Sequence, residues 1–210
     1  EADAPAEHPN RLTWYGTHWL YKENKTHWTY RFDKVANKEY SRLTSISDAS
    51  GNTVLIAYNK DGNVQKVTDA AGRITSFKYD SKKHCTSVTA PDGRKAFYTY
   101  DQQGNLIKTE DFLGTVTEYT YDDKHFMTSM EAGGKKTTFG YVDECGAYGC
   151  WKVIGTVTDA RGKITKYEKG TYGGVIVTAP EGNRNFYNSS TIGFTTTRMN
   201  VDLGTLTLTS

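Results

Sequence analysis

A tandem repeat of about 21 residues limits what this chain can fold into more than any other feature of its sequence. Tyrosines recur at steps of 21, 21, 21 and 20 residues: Tyr58, Tyr79, Tyr100, Tyr121 and Tyr141. Glycines keep the same steps in another register: Gly51, Gly72, Gly93, Gly114 and Gly134, with Gly162 and Gly182 after an interruption. Two residue series with one period indicate an array of small structural units rather than a single globular core.

Each unit is typical of a β-hairpin. Turn signals such as Asp61-Gly62 separate short runs rich in Thr, Val and Tyr, which favour strands. Counted from the turn glycines, position three is Thr in four repeats, position five is Phe or Tyr in six and position seven is Tyr in four, which places these residues on one side of a strand. Spacing of three between Val64 and Val67 breaks this alternation and predicts a bulge or bend in the first strand. The sequence therefore predicts an all-β fold, an elongated, twisted antiparallel sheet of tandem hairpin repeats.

The ends and one interruption depart from the repeat. Residues 1–40 contain three tryptophans and predict an aromatic lead-in or a capping hairpin, because an open sheet edge needs protection. Residues 41–210 are predicted to be hairpin repeats with an insertion at 142–152. Because the chain begins with Glu1 rather than Met, we expect a processed chain or a piece of a longer protein.

Charge and hydropathy exclude some classes of function. The 26 basic and 24 acidic side chains are spread evenly, so nucleic acid is not an expected partner. The sequence contains no run of eighteen apolar residues, so no membrane-spanning helix is predicted. The apolar share of 36% is low for a compact domain, which favours a sheet with half-wet faces.

Nothing in the sequence predicts catalysis, a cofactor or a metal site. The five histidines form no His-Glu-x-x-His arrangement, and there is no nucleophile elbow or phosphate-binding glycine loop. Asp80, Asp101 and Asp122 recur at one repeat position and suit either a row of calcium ligands or turn capping. We favour turn capping, because calcium-binding β-rolls use tighter glycine-aspartate repeats. We therefore expect a protein that is not an enzyme.

Cys145 and Cys150 lie within the insertion, in Cys-Gly-Ala-Tyr-Gly-Cys. Four intervening residues suffice for a small disulfide loop, and two reduced thiols are the alternative. The odd number of cysteines leaves both open. A zinc site would need two more nearby ligands, which the sequence does not offer.

Exposed aromatic residues could also recognise a ligand. Those that obey the repeat are expected to pack the sheet, whereas a binding site usually interrupts a repeat. The candidate recognition residues are therefore Trp14, Trp19 and Trp28 near the start and Tyr148 and Trp151 in the insertion.

The unit Tyr-Asp-x-x-Gly-x-Leu-x-x-x-x-Asp-x-x-Gly resembles the YD or Rhs repeat. Tyr100 to Gly114 carries it best, Tyr79-Asp80 and Tyr121-Asp122 also match, and the likeness spans roughly residues 30 to 190. Asn59 and Val142 depart from it by replacing the Asp after Tyr, and Lys83 replaces a turn glycine.

The resemblance implies repeats that coil into part of a hollow shell. In bacterial relatives such shells enclose a toxic C-terminal domain, and in animal teneurins a related shell supports cell adhesion. This chain has no Asp-Pro, so no self-cleaving residue is carried over. The implied function is a secreted, cell-surface or periplasmic bacterial scaffold whose partner is another polypeptide or further repeats of the same polypeptide. The alternative is an extracellular module that binds carbohydrate or protein through exposed Tyr and Trp.

Overall fold

The structure is a computed structural model that describes the backbone of residues 10–146, 149–170, 174–189, 196–200 and 205–209. No helix occurs within these ranges, and none that could cross a membrane is found there. The strands are β1 (Arg11–Trp14), β2 (His18–Lys22), β3 (Thr29–Lys34), β4 (Ser41–Ser47), β5 (Thr53–Tyr58), β6 (Val64–Thr68), β7 (Ile74–Tyr79), β8 (Cys85–Thr89), β9 (Lys95–Tyr100), β10 (Leu106–Glu110), β11 (Val116–Tyr121), β12 (Met127–Ala132), β13 (Lys135–Gly146), β14 (Gly149–Thr158), β15 (Ile164–Lys169), β16 (Val175–Thr178), β17 (Arg184–Ser189), β18 (Thr196–Asn200) and β19 (Thr205–Thr209).

The chain divides into two compact units, one of Glu1–Thr99 with Glu110–Gly114 and the other of Tyr100–Thr109 with Thr115–Ser210. In the first unit, consecutive strands pair antiparallel from β1–β2 through β8–β9. In the second unit, β11 to β19 follow the same rule. The predicted all-β fold of antiparallel hairpin repeats is confirmed.

One turn design closes most of the hairpins. In the turn between β6 and β7, the amide of Gly72 donates to the carbonyl of Asp69 over 2.9 Å. Gly72 has a φ of 80°, a left-handed conformation that glycine adopts without a steric penalty. The Asp69 side chain accepts hydrogen bonds from the amides of Ala71 and Arg73, which holds the turn in place. The sequence prediction of glycine-dependent turns is confirmed.

A β-bulge recurs in the first strand of the repeat. Tyr58 pairs with Val64 and Ala57 with Lys66, which leaves Gln65 without a partner residue in β5. Equivalent register shifts leave Thr44, Thr86, Thr128 and Gly155 unmatched. Each bulge adds one residue to its strand, so that residues three apart, such as Val64 and Val67, lie on the same face. The predicted bulge between Val64 and Val67 is confirmed.

The aromatic positions of the repeat share one side of the strands. We call this side, which carries Tyr58, Tyr79, Tyr121 and Tyr141 in their strands, the tyrosine face. Its side chains are half-buried, and Ala96 is the buried hydrophobic residue among the side chains that the structure describes, at 3% exposure. Burial of apolar side chains is thus modest, and strand pairing contributes a large part of what holds the repeats together.

Candidate functional site

The repeated tyrosines are fixed by their hydroxyl groups. Each donates to a backbone carbonyl of the preceding strand: Tyr58 to Leu43 and Tyr79 to Val64, both at 2.8 Å, Tyr121 to Leu106 at 2.9 Å, and Tyr141 to Met127 at 2.8 Å. These rings therefore serve the repeat itself. These aromatic residues obey the repeat and have a structural role, as predicted from the sequence.

The electrostatics favour the protonated form of the Tyr79 and Tyr121 hydroxyls. Burial raises the pKa of Tyr79, and the nearby Cys85 adds to the rise. Burial also raises the pKa of Tyr121, with smaller contributions from Tyr119 and Asp101. A phenol with a raised pKa remains a hydrogen-bond donor throughout the neutral range.

The repeated aspartates cap turns, as predicted. The Oδ1 atoms of Asp80 and Asp122 each accept two backbone amide hydrogen bonds within their turns, and Asp101 accepts one from Asn105 at 2.8 Å. An oxygen that accepts amide hydrogens is not presented to a cation. No group of three or more His, Cys, Asp or Glu that could hold a metal is found in the part of the chain that the structure describes.

The N-terminal tryptophans lie on and beside the first three strands. Trp14 of β1 and Trp19 of β2 are direct cross-strand partners, with ring centroids 5.0 Å apart and planes tilted by 46°. Trp28 precedes β3 and its ring centroid lies 6.4 Å from that of Tyr30. Trp14 and Trp19 are 40% and 37% exposed, so an aromatic surface is available there.

Pairing continues this surface into the repeats. Trp19 is opposite Phe32, which is opposite Leu43, and a second row runs parallel to it. That second row consists of Leu12, Tyr21, Tyr30, Ile46 and Val54. Since Val54 shares a side of β5 with Tyr58, the N-terminal aromatic residues extend the tyrosine face of the first unit.

The predicted insertion lies in a long hairpin of β13 and β14. Its outer part, residues 141–146 and 149–154, which we call the arm, pairs from Tyr141 and Ile154 out to Gly146 and Gly149. Cys145 and Cys150 are opposite one another near its tip and are joined by a disulfide. Trp151 is exposed on the arm, opposite Glu144. Tyr148 lies outside the described residues.

A cleft of about 700 Å³ lies beside the arm, between it and β15 and β16. β14 pairs with β15 from Thr158 back to Thr156, and toward the arm tip, before Thr156 in β14 and after Lys166 in β15, the two strands no longer pair. Ile154 of the arm, Tyr167 of β15 and Val175 of β16 line the cleft. Lys169 forms an ion pair with Glu144 of the arm at 3.0 Å, and Lys152 pairs with Asp143 at 3.4 Å. This cleft could not be predicted from the sequence, because it depends on where strand pairing stops.

The described candidate recognition residues are divided between the two units. Trp14, Trp19 and Trp28 belong to the first unit, and Trp151 belongs to the arm in the second. Trp151 points to the side of the arm opposite Ile154, because adjacent residues of a strand alternate in direction. In the sequence, the aliphatic residues of the cleft are Val and Ile within strand-forming runs, and nothing distinguishes them from other strand residues.

Comparisons with known proteins agree with the repeat. A family model described as the RHS repeat matches residues 58–95 and 79–116, which overlap. No curated protein sequence matches the chain. A solved structure of the Photorhabdus luminescens Tc holotoxin pore is 12% identical and has a TM-score of 0.56, covering 99% of this chain and 13% of that chain. A crystal structure of TcdB2-TccC3 is 10% identical with a TM-score of 0.46, covering 94% of this chain and 16% of that one.

At this identity the holotoxin likeness shows a shared fold, and the chain spans a small part of the larger protein's length. The RHS match is independent of the structure and covers the repeats in which the tyrosine hydrogen bonds and capped turns recur. Residues 58–116 match the RHS repeat, which confirms the resemblance first noted in the Tyr-Asp and glycine spacing.

Proposed function

We propose that this chain is a wall segment of an RHS-type β-shell and that its tyrosine face lies against a partner polypeptide, which the wall scaffolds or encloses. The partner is another protein or a further part of the same polypeptide. The role is structural and not enzymatic. The first strands, with Trp14 and Trp19, protect the start of the array, and the whole assembly works outside the cytoplasm.

The observation that carries the proposal is the half-exposed tyrosine face. In an ordinary layered domain, the apolar side of a sheet is buried by a second layer. Here the described side chains include no large one that is fully buried. A wall that borders an enclosed space has this property, because its inner side is completed by what it contains. The RHS repeats and the holotoxin-like fold support the same role.

The location outside the cytoplasm is supported by the disulfide between Cys145 and Cys150. Disulfides persist in oxidising compartments and are rare in the cytosol. The proposal therefore includes export as a requirement for the arm to reach its cross-linked form.

Binding of an unfolded polypeptide tests the enclosure role. The probe is reduced, carboxymethylated α-lactalbumin, and native α-lactalbumin is its folded counterpart. We expect the full chain to bind the unfolded form and not the folded one in a pull-down and in fluorescence anisotropy. An unfolded chain offers the apolar side chains and strand edges that a half-covered sheet can use.

Two neighbouring residues of β9 provide a matched pair of variants. Tyr98 lies on the tyrosine face, and Phe97 lies on the opposite side and is 44% exposed. Tyr98→Lys should weaken binding of the unfolded probe, whereas Phe97→Lys should not. Circular dichroism establishes that both variants are folded. No binding of the unfolded probe, or a greater effect of Phe97→Lys, contradicts the proposal.

The exposed N-terminal aromatics favour a second candidate, a protein-binding surface around Trp14 and Trp19. Leu12 and Tyr15 beside them are also exposed, and clustered apolar residues of this kind mark interaction surfaces. The two tryptophan rings are tilted rather than coplanar. Loss of partner capture on Trp14→Ala with no change in binding of unfolded α-lactalbumin would separate this candidate from the wall role.

A further inference from the structure

Backbone edges are exposed beside the arm. β14 pairs with β15 at Thr156, Val157 and Thr158, and residues 149–155 of β14 have no partner in β15 among the described residues. β15 continues to Lys169, where its pairing is with β16. Two strand edges therefore flank the cleft without pairing to one another. Such edges are templates for an added strand.

The side chains of the cleft suit an extended segment with alternating apolar residues. Strand register places Ile154, Tyr167 and Val175 on the same side of the sheet. Ile154 and Val175 are each 42% exposed although both are strongly apolar. A strand lying between them would direct every second side chain toward these three residues. The volume of about 700 Å³ lies within the usual range for a binding pocket.

The charges of the cleft favour a cationic occupant. Asp143, Glu144 and Glu168 line it together with a single ammonium group, that of Lys169. Lys152 pairs with Asp143 and Lys169 with Glu144, so the carboxylates exceed the ammonium groups by one, that of Glu168. A bound segment with Lys or Arg at its ends would correct the imbalance.

We infer that this cleft binds a short, extended segment of a partner polypeptide, with alternating apolar residues and basic ends, by β-strand addition beside the arm. About five to seven residues would span it at roughly 3.3 Å per residue. The disulfide at the arm tip keeps the arm paired, so that its edge is already extended when the segment arrives. The inference concerns one local site and does not depend on whether the repeats enclose a cargo.

The test uses the full-length chain and a labelled peptide, acetyl-Lys-Val-Thr-Val-Thr-Val-Lys-amide, in fluorescence anisotropy. We expect saturable binding of one peptide per chain. A peptide with Glu in place of both Lys residues should bind at least about tenfold more weakly, because the carboxylates would repel it. N-methylation of alternate residues should abolish binding, because it removes the hydrogen bonds to a strand edge.

Two isoleucines supply matched variants. Ile154→Lys places a charge in the cleft and should weaken binding of the Lys-ended peptide by at least about tenfold. Ile164→Lys makes the same change at a residue of β15 that is outside the cleft and equally exposed, at 45% against 42%, and should leave binding unchanged. Glu168→Lys should reduce the difference in affinity between the Lys-ended and the Glu-ended peptide. This variant still tests the charge argument if Ile154→Lys does not fold.

Three outcomes would overturn the inference. The first is no binding of either unmethylated peptide. The second is binding that ignores N-methylation, peptide charge and Ile154→Lys. The third is a dimer in size-exclusion chromatography that Ile154→Lys converts to a monomer, since a second copy of the chain would then occupy the cleft. A failure to bind unfolded α-lactalbumin affects the wall proposal and leaves this result unchanged.

Discussion

The hydroxyl of Tyr79 donates a hydrogen bond to the backbone carbonyl of Val64, with 2.8 Å between the two oxygens. Val64 is the residue before the bulge, and β6 pairs with β7 from Lys66 to Thr68, so Val64 lies beyond the paired stretch. The tyrosine thus supplies a donor to a carbonyl that the sheet does not reach. Backbone carbonyls removed from water need such a partner, which explains why the bulge and the tyrosine recur together.

Removal of this hydroxyl gives the first prediction. Tyr79→Phe keeps the ring and leaves the Val64 carbonyl without its donor. We expect the free energy of unfolding to fall by about 1–2 kcal/mol, measured by urea denaturation. Tyr98→Phe is the control, because the Tyr98 hydroxyl has no hydrogen bond among the described residues. An equal loss in both variants would show that the hydrogen bond is not the cause.

Alkaline pH provides the second prediction. Burial raises the pKa of Tyr79 and of Tyr121 in the folded chain above the ordinary value of about 10. The folded state then holds these protons more tightly than the unfolded state. Their stabilising contribution is complete below about pH 10 and is lost as the pH rises through the raised folded pKa values. Melting temperatures from pH 8 to 11 should fall more steeply for the native chain than for Tyr79→Phe.

The repeat could be predicted from sequence because each of its parts has a local cause. Gly72 indicates a turn that needs positive φ, and the spacing of Val64 and Val67 indicates a bulge. The carbonyl that accepts from Tyr79 could not be predicted. Its position depends on the register of three strands, and no residue type marks a backbone acceptor.

The arm shows the same limit at the candidate site. The sequence showed that residues 142–152 interrupt the repeat and contain both paired cysteines. It could not show that the part of β14 before Thr156 does not pair with β15, because the extent of strand pairing is set by the tertiary structure. Ile154 and Val175 consequently looked like ordinary strand residues. Trp151 was easier to notice in the sequence, yet it is not among the residues that line the cleft.

Lys83 carries the third prediction. It occupies a turn position with a φ of 71°, where the equivalent residue is Gly62 or Gly104 in two other repeats and His125, with a φ of 66°, in a third. A side chain in this left-handed conformation costs about 1–2 kcal/mol. Lys83→Gly should therefore raise the free energy of unfolding by about 1 kcal/mol, after allowance for the greater freedom of glycine in the unfolded chain.

The reverse change is its control. Gly72 has a φ of 80° and open space where a Cβ would lie. Gly72→Ala should destabilise the chain through backbone strain alone. If Lys83→Gly were neutral while Gly72→Ala destabilised, the Lys83 side chain would be making a compensating contact.

Asp69 gives the fourth prediction, which concerns acid. Hydrogen bonds from the backbone and side chain of Arg73 lower the pKa of Asp69 below its ordinary value. The stabilising contribution is present above that ordinary value, near pH 4, and is lost as the pH falls through the lowered pKa. Asp48 and Asp159 behave likewise. The melting temperature should therefore decrease as the pH is lowered below about 4.

Asn59 shows how to separate charge from turn geometry. Its side-chain oxygen accepts amide hydrogen bonds in its own turn just as Asp69 does. Asp69→Asn should keep the turn at neutral pH and reduce the loss of stability in acid, whereas Asp69→Ala should lower the melting temperature at every pH. A neutral Asp69→Ala variant would show that the cap is dispensable.

The disulfide gives the last prediction. Cys145 and Cys150 are direct cross-strand partners with Cα atoms 4.0 Å apart, so a peptide map without reductant should recover them as a linked pair and Cys85 as a thiol. Burial raises the pKa of the Cys85 thiol, which should slow its alkylation near pH 8.

Since the loop is small, replacing both linked cysteines with Ser should cost the arm roughly 2 kcal/mol. Hydrogen exchange should quicken within the arm and stay unchanged in β5 to β8, and a global acceleration would contradict a local role for the bond.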